Sequence, residues 1–156
     1  MKAVESVKEQ ELIEQLPDAL RACLSDVPRS SIESIERESP LGGAERADLV
    51  VKLRILGRAR ILVIEAKGSG QPKRAREAVD QLKRLMLDDR LGGAYPVFAA
   101  PYISDVGAAI CRESQVGYFD LAGNCRFAMG DVDVEKSSSS NPFRERRGDA
   151  SLFTPK

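Results

Sequence analysis

Histidine is absent from all 156 residues of the chain. That absence removes Ser–His and Cys–His nucleophilic triads, histidine-ligated zinc, and any hydrolase that depends on a histidine base. Cysteine is scarce too. Cys23, Cys111 and Cys125 are odd in number and lack metal-ligand spacing, which argues against both a disulfide framework and a zinc site. A reduced, cytoplasmic setting is therefore expected. No apolar run approaches the ~20 residues of a membrane span. The start, Met-Lys-Ala-Val-Glu, lacks the apolar core of a signal peptide, so no membrane partner is expected. Hydrolytic chemistry in such a chain falls to carboxylates, a lysine and a hard metal ion.

What is present describes a well-charged globular domain, with 42% hydrophobic and 31% charged residues. The length suits one domain with a real core and a tail. Net charge is zero, yet the charges are segregated. Residues 1–48 hold 6 basic and 11 acidic side chains, residues 49–90 hold 11 and 5, and residues 91–156 hold 7 and 8. The positive charge gathers on the central segment, which suits a phosphate-bearing partner there. A solvated basic face explains the charge nearly as well.

Residues 47–67 organise the rest. The runs 49–56 and 60–66 alternate Val, Ile and Leu with polar residues, as half-buried strands do, and Gly57-Arg58 suits a two-residue type II′ turn. With that turn, Leu56 faces Ala59. Leu49, Val51, Leu53 and Ile55 then share a face with Ala66, Ile64, Leu62 and Arg60, of which all but the arginine are apolar. The opposite face sets Asp48 across from Lys67 and diagonal to Glu65, with diagonal Cα atoms roughly 7–8 Å apart. Two carboxylates leaning together at that range can share a divalent cation. A one-residue slip would destroy the apolar face and the acid cluster together.

Around this hairpin, residues 3–24 have helical spacing, with Pro17 marking a kink or restart. Glu11 and Glu14 lie on that helix; either could point to the hairpin, although solvated glutamates are the commoner case. Residues 26–30 form a turn, 31–37 a first strand, and 40–43 a flexible loop. After Lys67, Gly68-Ser69-Gly70-Gln71 reads as a mobile connection. A helix then runs from Pro72 to about residue 88, with Lys73, Arg74 and Arg76 crowding its first turn. Its polar stripe of Glu77, Gln81 and Arg84 could lean toward the acid cluster or simply be solvated. Residues 95–100 fit a strand buried on both faces, and Ser104 caps a short helix to residue 113. Two strands at 116–121 and 125–129 follow. Asp120 and Asn124 between them are better explained by a hairpin tip than by chemistry. From residue 131 the composition turns polar, with the serine run 137–140 and a basic stretch after it, so 131–156 reads as a flexible tail or linker beyond a 1–130 domain.

The order helix, strand, hairpin carrying Asp…Glu-x-Lys, helix, strand resembles the PD-(D/E)XK nuclease superfamily over roughly residues 5–130. Ala47-Asp48 and Ile64-Glu65-Ala66-Lys67 carry the resemblance. Archaeal Holliday-junction resolvases and related cytoplasmic nucleases have a similar compact layout. The resemblance implies an α/β fold with a restriction-endonuclease-like αβββαβ core, a mixed central sheet flanked by helices, and an extra C-terminal hairpin. It implies Mg2+ or Mn2+ held by Asp48, Glu65 and the Ala66 carbonyl, with Lys67 positioning or activating water. Many members add a glutamate from the first helix and a glutamine from the helix after the lysine. Glu11 or Glu14, and Gln81, match those places. The family's proline before the first acid is Ala47 here. The run Tyr118-Phe119-Asp120-Leu121-Ala122-Gly123-Asn124 and the stretch through Ser151-Leu152-Phe153 also resemble bacterial proteins that continue into a winged-helix domain. No such domain lies in this sequence, which leaves a fragment or a naturally short protein.

The implied activity is metal-dependent hydrolysis of DNA, as an endonuclease, with Lys52, Arg54, Lys73 and Arg74 on the phosphate backbone. Two alternatives stay open. One is an inactive nuclease-fold module that binds DNA or regulates, as the partner of a winged-helix domain. The other is a protein-interaction domain that binds no DNA. Whether the chain forms a homodimer also stays open.

Overall fold

Leu12, Leu16 and Leu20 recur at helical spacing and are all buried, which lays α1 (Lys2–Cys23) along one face of a sheet. The computed structural model describes residues 2–40, 46–87, 93–130 and 132–137. The helix continues through Pro17. After it come β1 (Ser31–Pro40), β2 (Arg46–Ile55), β3 (Arg58–Ala66), α2 (Pro72–Leu85), β4 (Tyr95–Ala100), α3 (Asp105–Glu113), β5 (Gly117–Asp120), β6 (Cys125–Met129) and β7 (Val132–Lys136). Among the described residues the strands form one seven-stranded sheet in sequence order, β1 to β7. Its centre, β3-β4-β5, is parallel and both flanks are antiparallel, so the sheet is mixed as expected.

Helices cover both sheet faces. Leu49, Val51, Leu53, Ile55, Leu62 and Ile64 pack with α1, while Val50, Val63, Phe98 and Ala100 pack with Ala75, Ala78 and Leu82 of α2. β4 supplies Val97 and Ala99 to one cluster and Phe98 and Ala100 to the other, as a strand buried on both faces must.

The central hairpin keeps its expected faces but not its expected register. Ile55 pairs with Arg58 and Leu49 with Ile64, so the loop is Leu56-Gly57 rather than Gly57-Arg58. Both loop residues have positive φ, 53° and 79°, the type I′ form that matches strand twist. Leu56 is strained there by about 1–2 kcal/mol. The strain is offset because Leu56 packs on the α1 cluster, the Gly57 N–H donates to the Arg29 carbonyl at 3.0 Å, and Arg54 Nη1 donates to the Gly57 carbonyl at 2.9 Å. A two-residue slip along β3 preserves every facing, because side chains alternate with period two.

Two other expectations change. The connection after Lys67 is tightly held rather than mobile. Gly70 is buried, bridges Ile103, and accepts at its carbonyl from Ser104 N and Ser104 Oγ at 3.2 and 3.1 Å. A Cβ on Gly70 would lie 2.2 Å from the Tyr102 carbonyl oxygen, so only glycine fits this crossing. Part of the stretch expected as a tail belongs to the sheet. Val132 is buried and Val134 half-buried in alternation with exposed Asp133 and Glu135, so 132–136 is a sheet strand. Lys136 Nζ ties it to the end of α1, donating to the Ala22 carbonyl and to Asp26 Oδ1, both at 3.2 Å. The rest of the expected tail, 138–156, lies outside the described residues, as do most of the 40–43 loop and the expected end of the α2 helix at 88.

Candidate active site

β2 leaves β3 at Asp48. Strand pairing runs as far as Leu49 opposite Ile64, and extending it sets Asp48 level with Glu65 rather than diagonal to it. Asp48 Oδ2 accepts from the Ala66 N–H at 2.8 Å, so the carboxylate fills a place that a strand carbonyl would take in a continued ladder. This bond holds the half-buried Asp48 beside Glu65-Ala66-Lys67.

Glu65 is 4% exposed, with Val63 before it in the α2-side core. Lys67 lies just past the end of β3, its N–H bonded to the Ala99 carbonyl at 3.0 Å. Its Nζ donates to Gln81 Oε1 at 2.7 Å and stands 3.6 Å from Glu65 Oε2. Gln81 reaches it from α2, where Ala78, Leu82 and Leu85 are buried and fix the helix's rotation. Asp48, Glu65, Lys67 and Gln81 are thus brought together.

The surroundings of Glu65 oppose its ionisation. Burial pushes its carboxyl up to about 8, the Asp48 charge adds to the push, Lys67 draws it partly back, and the charge of Glu9 adds a smaller upward push. One Glu65 oxygen faces Lys67. The other, Oε1, is buried without a hydrogen-bond partner. A buried acceptor left unpaired costs about 1–3 kcal/mol, so Glu65 Oε1 calls for a partner, a water or a cation. Two neighbouring carboxylates with such an oxygen suit a hard divalent cation, which takes one or two carboxylates and completes its shell with water or phosphate oxygens. Among the described residues no group of three or more Cys, Asp or Glu is placed to hold a metal.

On α1, Glu9 is the glutamate whose charge reaches Glu65. Glu11 is exposed, and Glu14 is exposed on a cleft that it lines with Asp48. Glu9 was legible in principle, since it continues the buried 20-16-12 spacing one turn back.

The expected phosphate contacts divide. Lys73 is exposed at the start of α2, whereas Arg74 beside it is half-buried and paired with Glu77 at 2.9 Å. Lys52 is exposed farther along β2. Arg54 is bound at the far end of the hairpin by Glu33 at 3.0 Å and the Gly57 carbonyl at 2.9 Å. At ~3.4 Å per residue it lies roughly 20 Å along the strand from Asp48, too far to serve the same phosphate.

Asp120 is structural, in keeping with the hairpin-tip reading. It is 1% exposed and accepts from the N–H groups of Ile103, Ala122 and Asn124 at 2.9 Å and from Asn124 Nδ2 at 2.8 Å. The acid stitches the β5–β6 turn to the chain leading into α3.

No family model matches the chain, and no curated protein matches it. Solved structures do. The complex of EndoMS with double-stranded DNA superposes with a TM-score of 0.50 at 15% identity, over 73% of this chain and 44% of that one. The fold resembles that of EndoMS. A repair endonuclease from Pyrococcus abyssi gives a TM-score of 0.46 at 17% identity, over 67% of this chain and 46% of that one. The chain therefore spans less than half the length of either protein, and at these identities the likeness shows the fold alone.

Proposed function

We propose that the chain is a metal-dependent DNA nuclease of the PD-(D/E)XK type, an endonuclease with Mg2+ or Mn2+ as cofactor. One observation carries the reading: the unpartnered, buried Glu65 Oε1 lies in a cluster with Asp48, Lys67 and Gln81. The likeness in fold to EndoMS, a protein solved with double-stranded DNA, supports DNA as the substrate.

Asp48, Glu65 and the Ala66 carbonyl would hold the cation. When bound, it supplies Lewis-acid polarisation of a phosphoryl oxygen and a lowered pKa for a coordinated water. The protein does the positioning. The Ala66 N–H fixes the Asp48 carboxylate. To serve as a ligand Glu65 would have to be ionised, a state that the nearby Lys67 favours. Gln81 and Glu65 hold the Lys67 ammonium, ready to stabilise charge developing on the phosphate. Lys73 and Lys52 supply sequence-independent attraction to the backbone.

Plasmid and branched DNA incubated with Mg2+ or Mn2+ should be nicked by the wild type and left intact by Asp48→Ala. Equal inertness of both proteins across substrates and metals sinks the proposal. A second reading, a nuclease-fold module that binds DNA without cutting it, is favoured by the surroundings that oppose ionisation of Glu65. That reading requires metal-independent DNA binding that survives Glu65→Ala.

A further inference from the structure

Two of the three cysteines meet across the core, although they stand about a hundred residues apart in the chain. Cys23 is the last residue of α1 and Cys125 the first of β6. Both are buried in the cluster that α1 forms with the sheet. Several bonds fix their approach. Cys125 pairs with Lys136 across β6 and β7. Lys136 Nζ donates at 3.2 Å to the carbonyl of Ala22, the neighbour of Cys23, and at 3.2 Å to Asp26 Oδ1. The Cys23 thiol in turn donates to the Cys125 sulfur. Cys111 lies apart, in the cluster on the opposite face of the sheet.

We propose that Cys23 and Cys125 form a redox staple: oxidation joins them in a reversible disulfide that fastens the end of α1 to β6. The inference does not depend on the nuclease reading. Sulfurs already in contact need only a small shift and a change of rotamer to reach the ~2 Å of a disulfide. The clasp of Lys136 on Ala22 and Asp26 is at the surface, so fraying of the last turn of α1 admits a reagent as small as hydrogen peroxide.

The pair divides the chemistry. The hydrogen bond from Cys23, above all, holds the Cys125 thiol below its ordinary range, and the Lys136 ammonium and backbone help, against burial and the charge of Asp120. Cys23 keeps its proton, because it donates that bond and is buried. The Cys125 thiolate therefore attacks one oxygen of the peroxide, the O–O bond breaks, and hydroxide leaves to take a proton from solvent. Cys23 sulfur then attacks the resulting sulfenic sulfur. The S–S bond forms, the S–O bond breaks, and the hydroxyl departs as water with the Cys23 proton. Both thiols are oxidised to one disulfide, and the peroxide is reduced to water. A dithiol reductant reverses the bond by exchange.

Among the described residues α1 is the one helix in its cluster, so the staple secures the cover of a whole sheet face. The bond closes a loop of roughly 100 residues, which removes much of the freedom of the unfolded chain.

The test uses the whole chain, reduced with dithiothreitol, freed of it, and exposed to a small excess of hydrogen peroxide at neutral pH. Mapping without reduction should find Cys23 linked to Cys125, with a mass loss of about 2 Da. The link should form about tenfold faster than Cys111 is oxidised, since burial pushes the Cys111 thiol up to about 12. The melting temperature should rise by about 10 °C and fall back on adding dithiothreitol. Cys111→Ala should behave as the wild type. Cys23→Ala and Cys125→Ala should each lose both the mass change and the reversible rise; if either fails to fold, the wild-type map and melt decide. Sulfinic acid at Cys125 beside an unreacted Cys23 overturns the staple, as does a link through Cys111 or to a second chain. A link that forms only in urea overturns it too, because the sulfurs then meet only in the unfolded chain. A native link that leaves the melt unchanged overturns the fastening of α1.

Discussion

Replacing Glu65 by glutamine removes a carboxyl that the folded protein prefers to keep protonated. In the unfolded chain this group loses its proton near 4.5, and in the fold near 8, chiefly because it is buried and faces Asp48. Between those values the native state holds one more proton than the unfolded state, so wild-type stability falls as pH rises. The contribution is fully present below about pH 4.5 and fully lost above about pH 8. Each unit is worth about 1.4 kcal/mol, so the loss amounts to roughly 3–5 kcal/mol across the window. Glutamine matches the protonated acid in shape and cannot ionise. Glu65→Gln should therefore match the wild type within about 1 kcal/mol near pH 5 and exceed it by about 3–5 kcal/mol at pH 9. In thermal melts that is on the order of 10 °C. Denaturant titrations of both proteins from pH 5 to 9 measure the difference directly. On the proposed metal site, saturating Mg2+ or Mn2+ at pH 8 should stabilise the wild type more than the variant, which keeps Asp48 but lacks the second carboxylate. A stability difference that does not vary with pH refutes the reasoning. So does a wild type that gains on the variant as pH rises.

Three further outcomes follow from the geometry. On the proposed nuclease reading, Gln81→Ala should loosen the Lys67 ammonium and lower kcat by about tenfold to a hundredfold with little change in KM, as loss of positioning does. A steady-state assay of nicking on supercoiled plasmid separates the two constants. Asp120→Ala should cost about 3–5 kcal/mol in urea unfolding, because it strands several buried N–H groups, and the protein that remains folded should keep the proposed nicking activity. Gly70→Ala drives a methyl into the Tyr102 carbonyl and should cost about 2–4 kcal/mol by the same measurement. Nearly wild-type stability there would mean that the crossing loop moves aside.

Alternation with period two was enough to place β2 and β3 and to say which side chains share a face. That survived even though the turn was misplaced, since a two-residue slip changes partners and leaves faces intact. Asp48, Glu65 and Lys67 were legible for the same reason, being polar interruptions at one end of an apolar hairpin. The missing histidines narrowed what chemistry those groups could perform. The turn itself was not local. Gly57 is held by the Arg29 carbonyl and Leu56 by the α1 core, contacts that exist only after the chain has folded. The same holds for Gly70, whose neighbours, Tyr102 and Ile103, are more than thirty residues away in the chain. β7 was hidden by its polar composition, because two valines suffice once a sheet edge is waiting for them. Most of all, the cleft beside Asp48 joins α1 to β1 across the chain. Spacing along a helix can show that Gln10 and Glu14 share a side, but only packing brings Arg37 to meet them.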